Sequence, residues 1–417
     1  MPLDFSHALD KLHKQTLLLR THQALLQHAH GLIAAAPITA SLEIPRERQS
    51  SMDGFGLHIS ANWPKAHTPI PVQGRVLAGD TVSQAKNGYA CEIMTGATLP
   101  NSINTIVPYE ACTRDPTSGH ITLHSVPKVG THVRPIGSDV AKGSVLIAKG
   151  QTIHTGQLMQ CLQQKIRTIS TYAPTRIGIV YTGKEVSKTF SDQAPRSHIA
   201  NSTASYFQTV CPALNLRVTK SYYSKDSVKR FANCIQRLTH DPDIDLILTV
   251  GGVSQGKTDL VRPTLREQGW HMLFEKIRIK PGGPASCFRL NHQILFALPG
   301  NPLSSICVFE HLIYPWIQTQ RHEPARPKLQ VPIHTEHGST TEKTLFLAAN
   351  LVKDSQHRLQ ARILTPQASY QLSPLSQANY WAILPPHPTW YPKGFVATLT
   401  PMLIHHQPGV YPYAPVS

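Results

Sequence analysis

No apolar run in this sequence is long enough to span a bilayer, and the first residues, MPLDFSHALDKLHKQ, contain no apolar signal core. A soluble cytoplasmic protein without an export signal is expected. The seven cysteines (91, 112, 161, 211, 234, 287 and 307) are widely spaced, odd in number and form no CxxC pair. That pattern predicts reduced thiols and argues against a metal-thiolate centre. None of the 23 histidines falls in an HExxH pattern. There is no persuasive Ser-His-Asp order, no convincing internal repeat and no low-complexity tract. No Lys/Arg block carries interleaved aromatics, so a nucleic-acid reading rests on net charge alone.

What is there suits a multidomain globular chain. The 417 residues suggest about three domains, and 41% apolar residues suffice for real cores. Forty Lys and Arg against 24 Asp and Glu give a formal net charge of +16, a surface that attracts anions. Residues 1–36 carry helical periodicity, with leucines at spacings of three, four and seven. Residues 44–135 alternate short apolar runs with turns and read as β. Residues 137–171 are mixed, with a helix expected around Thr155 to Lys165. From 174 to about 320, strands and helices alternate, which predicts βαβ units and a parallel sheet. Residues 327–417 are again β-like and rich in proline. The fold class is therefore α/β plus β, in several domains.

Three apolar runs end in sharp, small-residue loops: DLILTVGGVSQGKTDL, RIGIVYTGKEV and QILFALPGNPLSS. In open parallel sheets ligands sit beyond the carboxyl ends of strands. Glycines there admit a ligand to the backbone, and exposed amides hold anions. One such loop alone reads as a tight strand-to-helix turn; three together favour a pocket rim. A helix after Asp259 is expected to begin near Arg262, with Pro263 in its first turn. In FEKIRIKPGGP, a period of two puts Lys276, Arg278 and Lys280 on one face and Ile277 and Ile279 on the other. This is an anion cradle or a charge-guarded edge. Asp53 in SSMDGFG and Asp139 in GSDVAKG sit in turns, and Thr95-Gly96 lies beside a strand end where a hydroxyl and bare amides could meet a phosphate.

SMDGFG, AGD, EIMTGATLPNSINTIVPYE, RPIGSDVAKGSVLIAKG, YTGKEV, VGGVSQGKTD, KIRIKPGGP and LPGNPLSS together resemble the molybdopterin molybdenumtransferases, the MoeA-type proteins related to the gephyrin E domain. The resemblance runs from about residue 30 to 320 and continues more weakly to SYQLSPLSQANYWAIL. It implies a MogA-like three-layer α/β domain at 173–321 that binds molybdopterin. It further implies a discontinuous N-terminal domain (1–45 and 137–172), a β-rich insertion (46–136) and a C-terminal β-barrel-like domain (322–417). The implied reaction takes adenylylated molybdopterin and molybdate, releases AMP and leaves molybdenum on the dithiolene, with Mg²⁺ assisting. Asp53, Asp139, Glu185 and Asp259 fall on the family's catalytic acids; Glu185 and Asp259 are expected to hold Mg²⁺ as metal ligands or to orient the attacking oxygen, and Asp53 and Asp139 to position the incoming oxyanion. Thr95, Gly251, Gly252, Ser254, Lys276, Lys280, Pro299, Gly300 and Asn301 fall on its substrate-binding positions. A homodimer is implied, with Asp53 and Thr95 facing the partner's glycine loops. A MogA-type adenylyltransferase and molybdoenzyme maturation proteins are the implied partners; a membrane or nucleic acid is not.

Such chemistry suits the residues. Anionic substrates need Lys276, Lys280 and main-chain amides to offset repulsion, and a divalent ion makes carboxylates favourable neighbours. Replacing Asp259 with alanine is expected to stop turnover and leave folding intact. The sequence also departs from the family pattern. Lys184 follows Thr182-Gly183, Lys257 precedes Asp259 by two, Phe55 follows Asp-Gly, and Glu92 stands where a basic residue is usual. Asn201-Ser202-Thr203 replaces D-x-N, Lys225 replaces an acid next to Asp226, and LFLAANL lacks an arginine. The alternative to an active enzyme is a molybdopterin-binding or scaffold protein of the same fold.

Overall fold

The chain folds as two compact units. One comprises Pro37–Ile147 and Gly156–Arg167; the other comprises Met1–Ala36, Ala148–Thr155 and Thr168–Ser417. The computed structural model describes residues 2–80, 85–183, 186–187, 199–253, 259–338, 342–387 and 389–405.

The larger unit is built on a six-stranded sheet in the order Leu216–Tyr223, Thr175–Tyr181, Leu246–Val250, Gln293–Leu298, Ser286–Leu290, His271–Phe274. The first four strands are parallel and the last two antiparallel to their neighbours. Strands covered on both faces need apolar side chains in both directions, which is why the sequence shows unbroken runs. Leu246, Leu248 and Val250 enter one core with Phe207, Val210, Leu303 and Ile306. Ile247 enters the opposite core with Phe231, Ile235, Leu238, Val261 and Leu265. Helices Ser202–Ala213 and Pro302–Val308 thus cover one face, and Val228–Thr239 and Val261–Glu267 the other. Burying each such large apolar side chain contributes about 1.5–3 kcal/mol.

A second six-stranded sheet in this unit runs Ile279–Lys280, Thr344–Lys353, Tyr380–Leu384, Val396–Pro401, Leu329–Pro332, with Leu359–Ile363 also paired to Thr344–Lys353. Ile333 bridges Ala361, and the His334 amide donates to the Ala361 carbonyl at 2.8 Å. The pairing therefore returns on itself in a barrel-like manner.

The smaller unit holds a four-stranded sheet ordered Val72–Val76, Ala90–Ile93, Gly54–Leu57, Thr105–Pro108 and a three-stranded one ordered Pro69–Ile70, Ile121–Leu123, Cys112–Arg114. The helix expected near 155–165 is Thr155–Gln163.

The helical periodicity of residues 1–36 is only partly realised. The helix is Phe5–His13, and Thr21–Leu25 is instead a strand paired antiparallel to Thr168–Tyr172. A pairing partner far away in the sequence overrides local spacing. None of the seven cysteines is in a disulfide. Among the described residues no helix is long and apolar enough to cross a membrane.

Candidate functional site

Register brings the three small-residue loops to one edge. Tyr181, Val250 and Leu298 are aligned across three neighbouring parallel strands, so Thr182-Gly183, Gly251-Gly252 and Pro299-Gly300-Asn301 leave the sheet side by side. The Thr182 amide donates to the Val250 carbonyl at 2.9 Å, and the Gly251 amide donates to the Leu298 carbonyl at 3.0 Å. Gly251 has φ +91°, and a Cβ there would lie 2.5 Å from Thr182 Oγ1. Both conformation and space demand glycine. A Cβ on Gly300 would lie 3.5 Å from the Gly251 Cα, so these two loops are in close approach.

Asp259 follows this rim. Its Oδ1 accepts from the Val261 and Arg262 amides, each at 3.2 Å, at the start of helix Val261–Glu267. Pro263 lies in that first turn, as the sequence predicts. Oδ2 sits 3.0 Å from the guanidinium of Arg262, a buried residue that also reaches Glu275 at 3.3 Å, Ser286 at 3.2 Å and the Pro284 carbonyl at 3.1 Å. The motifs do not single out Arg262. Its one signal in the sequence is an acid and an arginine at i, i+3, the spacing that makes helix neighbours. Glu185 and Ser254, and the neighbouring Lys184 and Lys257, lie outside the described residues.

A cavity of about 880 Å³ opens beside this edge. Lys276, Lys280, Pro299 and Asn301 line it, bringing together four of the residues singled out from sequence. The expected alternation holds: Ile277 and Ile279 are each 2% exposed, while Lys280 is exposed. Among the described residues no ion pair or hydrogen bond engages the ammonium of Lys276 or Lys280, so both charges are available to an anion. Arg278, Ser304, Glu342, Lys343, Gln367 and Ser369 complete the polar lining, and Asn301 Nδ2 donates to Ser369 Oγ at 2.8 Å. The last four come from the C-terminal β segment, which no sequence pattern connects to the site.

The remaining predicted residues belong to the smaller unit. Asp53 precedes strand Gly54–Leu57, and its Oδ1 accepts from the amide of Thr95 at 2.6 Å and from its hydroxyl at 2.8 Å. Those bonds, the backbone one first, hold the carboxyl below its usual range. Thr95 thus spends its donors on Asp53. Gly54 is required because a Cβ would fall 2.0 Å from the Val107 carbonyl. Glu92, across from Phe55 in the ladder, accepts from the Tyr109 hydroxyl at 2.8 Å. Burial, then that hydrogen bond, pushes Tyr109 up to about 12. Asp139 is exposed in a turn, and its amide donates to the Ile44 carbonyl at 3.0 Å. The antiparallel pairing of Gln49–Ser50 with Val133–Arg134 puts Asp53 and Asp139 beyond opposite ends of that short ladder.

Magnesium is the implied metal. Among the described residues no group of three or more His, Cys, Asp or Glu side chains is placed to hold an ion. Mg²⁺ usually keeps several waters and takes one or two carboxylates plus substrate phosphates. Asp259 fits that sparse donor set through Oδ2, which Arg262 only partly satisfies.

Two family descriptions match successive stretches: "MoeA N-terminal region (domain I and II)" over residues 3–163 and "Probable molybdopterin binding domain" over 178–319. The chain belongs to the MoeA-type molybdopterin molybdenumtransferase family. Relatives named molybdopterin molybdenumtransferase include that of Synechococcus elongatus, 28% identical over 92% of this chain and 96% of its own. That of Bacillus subtilis is 27% identical over 93% and 91%. A MoeA crystal structure from Pyrococcus horikoshii superposes with a TM-score of 0.84 at 19% identity, covering 96% of this chain and 99% of the other. That likeness carries the fold: a multidomain α/β plus β architecture of MoeA type.

Proposed function

We propose that this MoeA-type chain inserts molybdenum into adenylylated molybdopterin, releasing AMP and giving the molybdenum cofactor. The observation that carries the reading is the cavity at the sheet's carboxyl edge. Its lining brings the ammonium groups of Lys276 and Lys280, unpaired among the described residues, together with Pro299, Asn301 and polar groups of the C-terminal segment, and the Gly251 loop closely approaches Gly300 next to that rim. Molybdate and a pyrophosphate link are both anions, and a cationic, amide-rich pocket offsets their mutual repulsion. Lys276 and Lys280 bind the oxyanion. Gly251 and Gly252 let the backbone approach the substrate, with Ser254 in the same loop. Pro299, Gly300 and Asn301 form the facing rim.

Asp259, oriented by two helix amides and Arg262, and Glu185 would hold Mg²⁺, which when bound would polarise a phosphoryl oxygen and offset its charge. Asp53, kept ionised by Thr95, and Asp139 position the incoming oxyanion. In this reading the chain works as a cytoplasmic homodimer, with Asp53 and Thr95 serving the partner's glycine loops. A MogA-type adenylyltransferase supplies the intermediate and molybdoenzyme maturation proteins receive the product. The division into 1–45 with 137–172, 46–136, 173–321 and 322–417 is part of the same reading.

Mixing the purified protein with adenylylated molybdopterin, Mg²⁺ and molybdate should release AMP in step with molybdate addition. Retention of molybdopterin without AMP release would replace the enzyme with a scaffold protein of the same fold.

A further inference from the structure

The cationic strand is held from both sides. On one side Ile279 and Lys280 pair with Thr344 and Leu345. On the other, the Leu3 amide donates to the Lys276 carbonyl at 2.9 Å, and the Arg278 amide donates to the Leu3 carbonyl at 2.7 Å. Leu3 therefore bridges Ile277 as a strand of one residue. Pro2 lines the cavity itself. Phe5 packs edge-on against Phe346, another cavity residue, with ring centroids 5.2 Å apart. Behind it Ala8 and Leu12 are fully buried, and Lys11 Nζ donates to the Leu273 carbonyl at 3.0 Å. The N-terminal segment is thus built into the wall of the site.

Its charge matters as much as its position. Among the described residues, Arg278 alone of the strand's three cations has an acidic partner, Asp4, at 3.3 Å. Asp4 and Arg278 are 51% and 40% exposed, so the pair adds little to stability. Arg278 does line the cavity, so the pairing removes one positive charge from the set facing an anion.

We propose that Pro2–Phe5 is a functional wall of the oxyanion cavity and that Asp4 sets the cavity's charge by neutralising Arg278. The inference rests on reading the cavity as an anion site. It makes Asp4 a positioning and specificity residue: with Arg278 balanced by Asp4, and Glu342 offsetting Lys343 in the net charge of the lining, the two charges of Lys276 and Lys280 are left to match a dianion, and a more highly charged ligand gains less.

The test is calorimetric titration of molybdate into the full chain at low salt. His7 lies 3.8 Å from Asp4, so the titration is run at about pH 8, above the ordinary range of imidazole. Five proteins are compared: the native chain, Asp4→Asn, Asp4→Glu, Arg278→Gln and the double variant. One unbalanced charge near a dianion should change the affinity about threefold, less as salt rises. Asp4→Asn should bind tighter and Arg278→Gln weaker. The double variant and Asp4→Glu should match the native chain, with thermal midpoints unchanged throughout. Equal affinity in all five proteins, or weaker binding by Asp4→Asn, overturns the inference and leaves the anion site standing. Absence of binding by the native chain removes the anion site and the inference with it.

Discussion

Asp259 shows how one side chain serves both fold and site. Its carboxylate caps a helix and partners a buried arginine, so alanine would remove two structural roles together with the proposed metal contact. The sequence-based expectation that Asp259→Ala leaves folding intact does not take Arg262 into account. Loss of the cap costs about 1 kcal/mol, and a stranded buried guanidinium costs more, though Glu275 limits the damage. Asp259→Ala should therefore lower stability by about 1–3 kcal/mol in denaturant titration, whereas Asp259→Asn, which keeps an acceptor for the amides, should lose less. Both should lose AMP release. A native denaturation midpoint for the alanine variant would contradict this assignment of Asp259. The acid itself is legible because it follows a strand-ending glycine pair. Arg262 is visible only as an i, i+3 spacing that many exposed helices share. Asp53 is legible as part of Met-Asp-Gly, yet the reason for its glycine, a carbonyl of Val107 against the backbone, needs a neighbouring strand to be seen.

Among the elements, legibility follows the source of the stabilising contacts. The parallel strands are readable because burial on both faces leaves continuous apolar runs, and Leu246–Val250 is buried at every position. The segment at 276–280 is readable from its alternation, although only Ile279–Lys280 is a regular strand, with an isolated bridge at Ile277. Thr21–Leu25 is not readable, since it has just one buried residue and its stabilising partner is Thr168–Tyr172. The glycine loop allows a direct test. Gly251→Ala forces a side chain into φ +91° and against Thr182, a strain of about 1–2 kcal/mol if the loop holds its place. The alternative is a displaced loop that no longer meets Gly300. Either way, molybdopterin binding should fall at least about tenfold, with a modest drop in denaturation midpoint. Native affinity in this variant would mean that the loop does not approach the ligand.

Across the entire chain, the long-range assembly of the cavity is the part hidden from sequence. Its lysines lie at 276 and 280, one rim at 299–301, and further polar groups at 343, 367 and 369, with Pro2 on the wall. Nothing local links these segments; the pairing of Ile279–Lys280 with Thr344–Lys353 and the bond from Asn301 to Ser369 do so. The formal charge of +16 points to anions but not to where they bind. An anomalous difference map at the molybdenum edge, from crystals of this protein equilibrated with molybdate, would locate the oxyanion. The expected result is a peak in the cavity, within hydrogen-bonding reach of the Lys276 and Lys280 ammonium groups. Bound molybdenum seen elsewhere on the protein, with the cavity empty, would contradict an oxyanion site there.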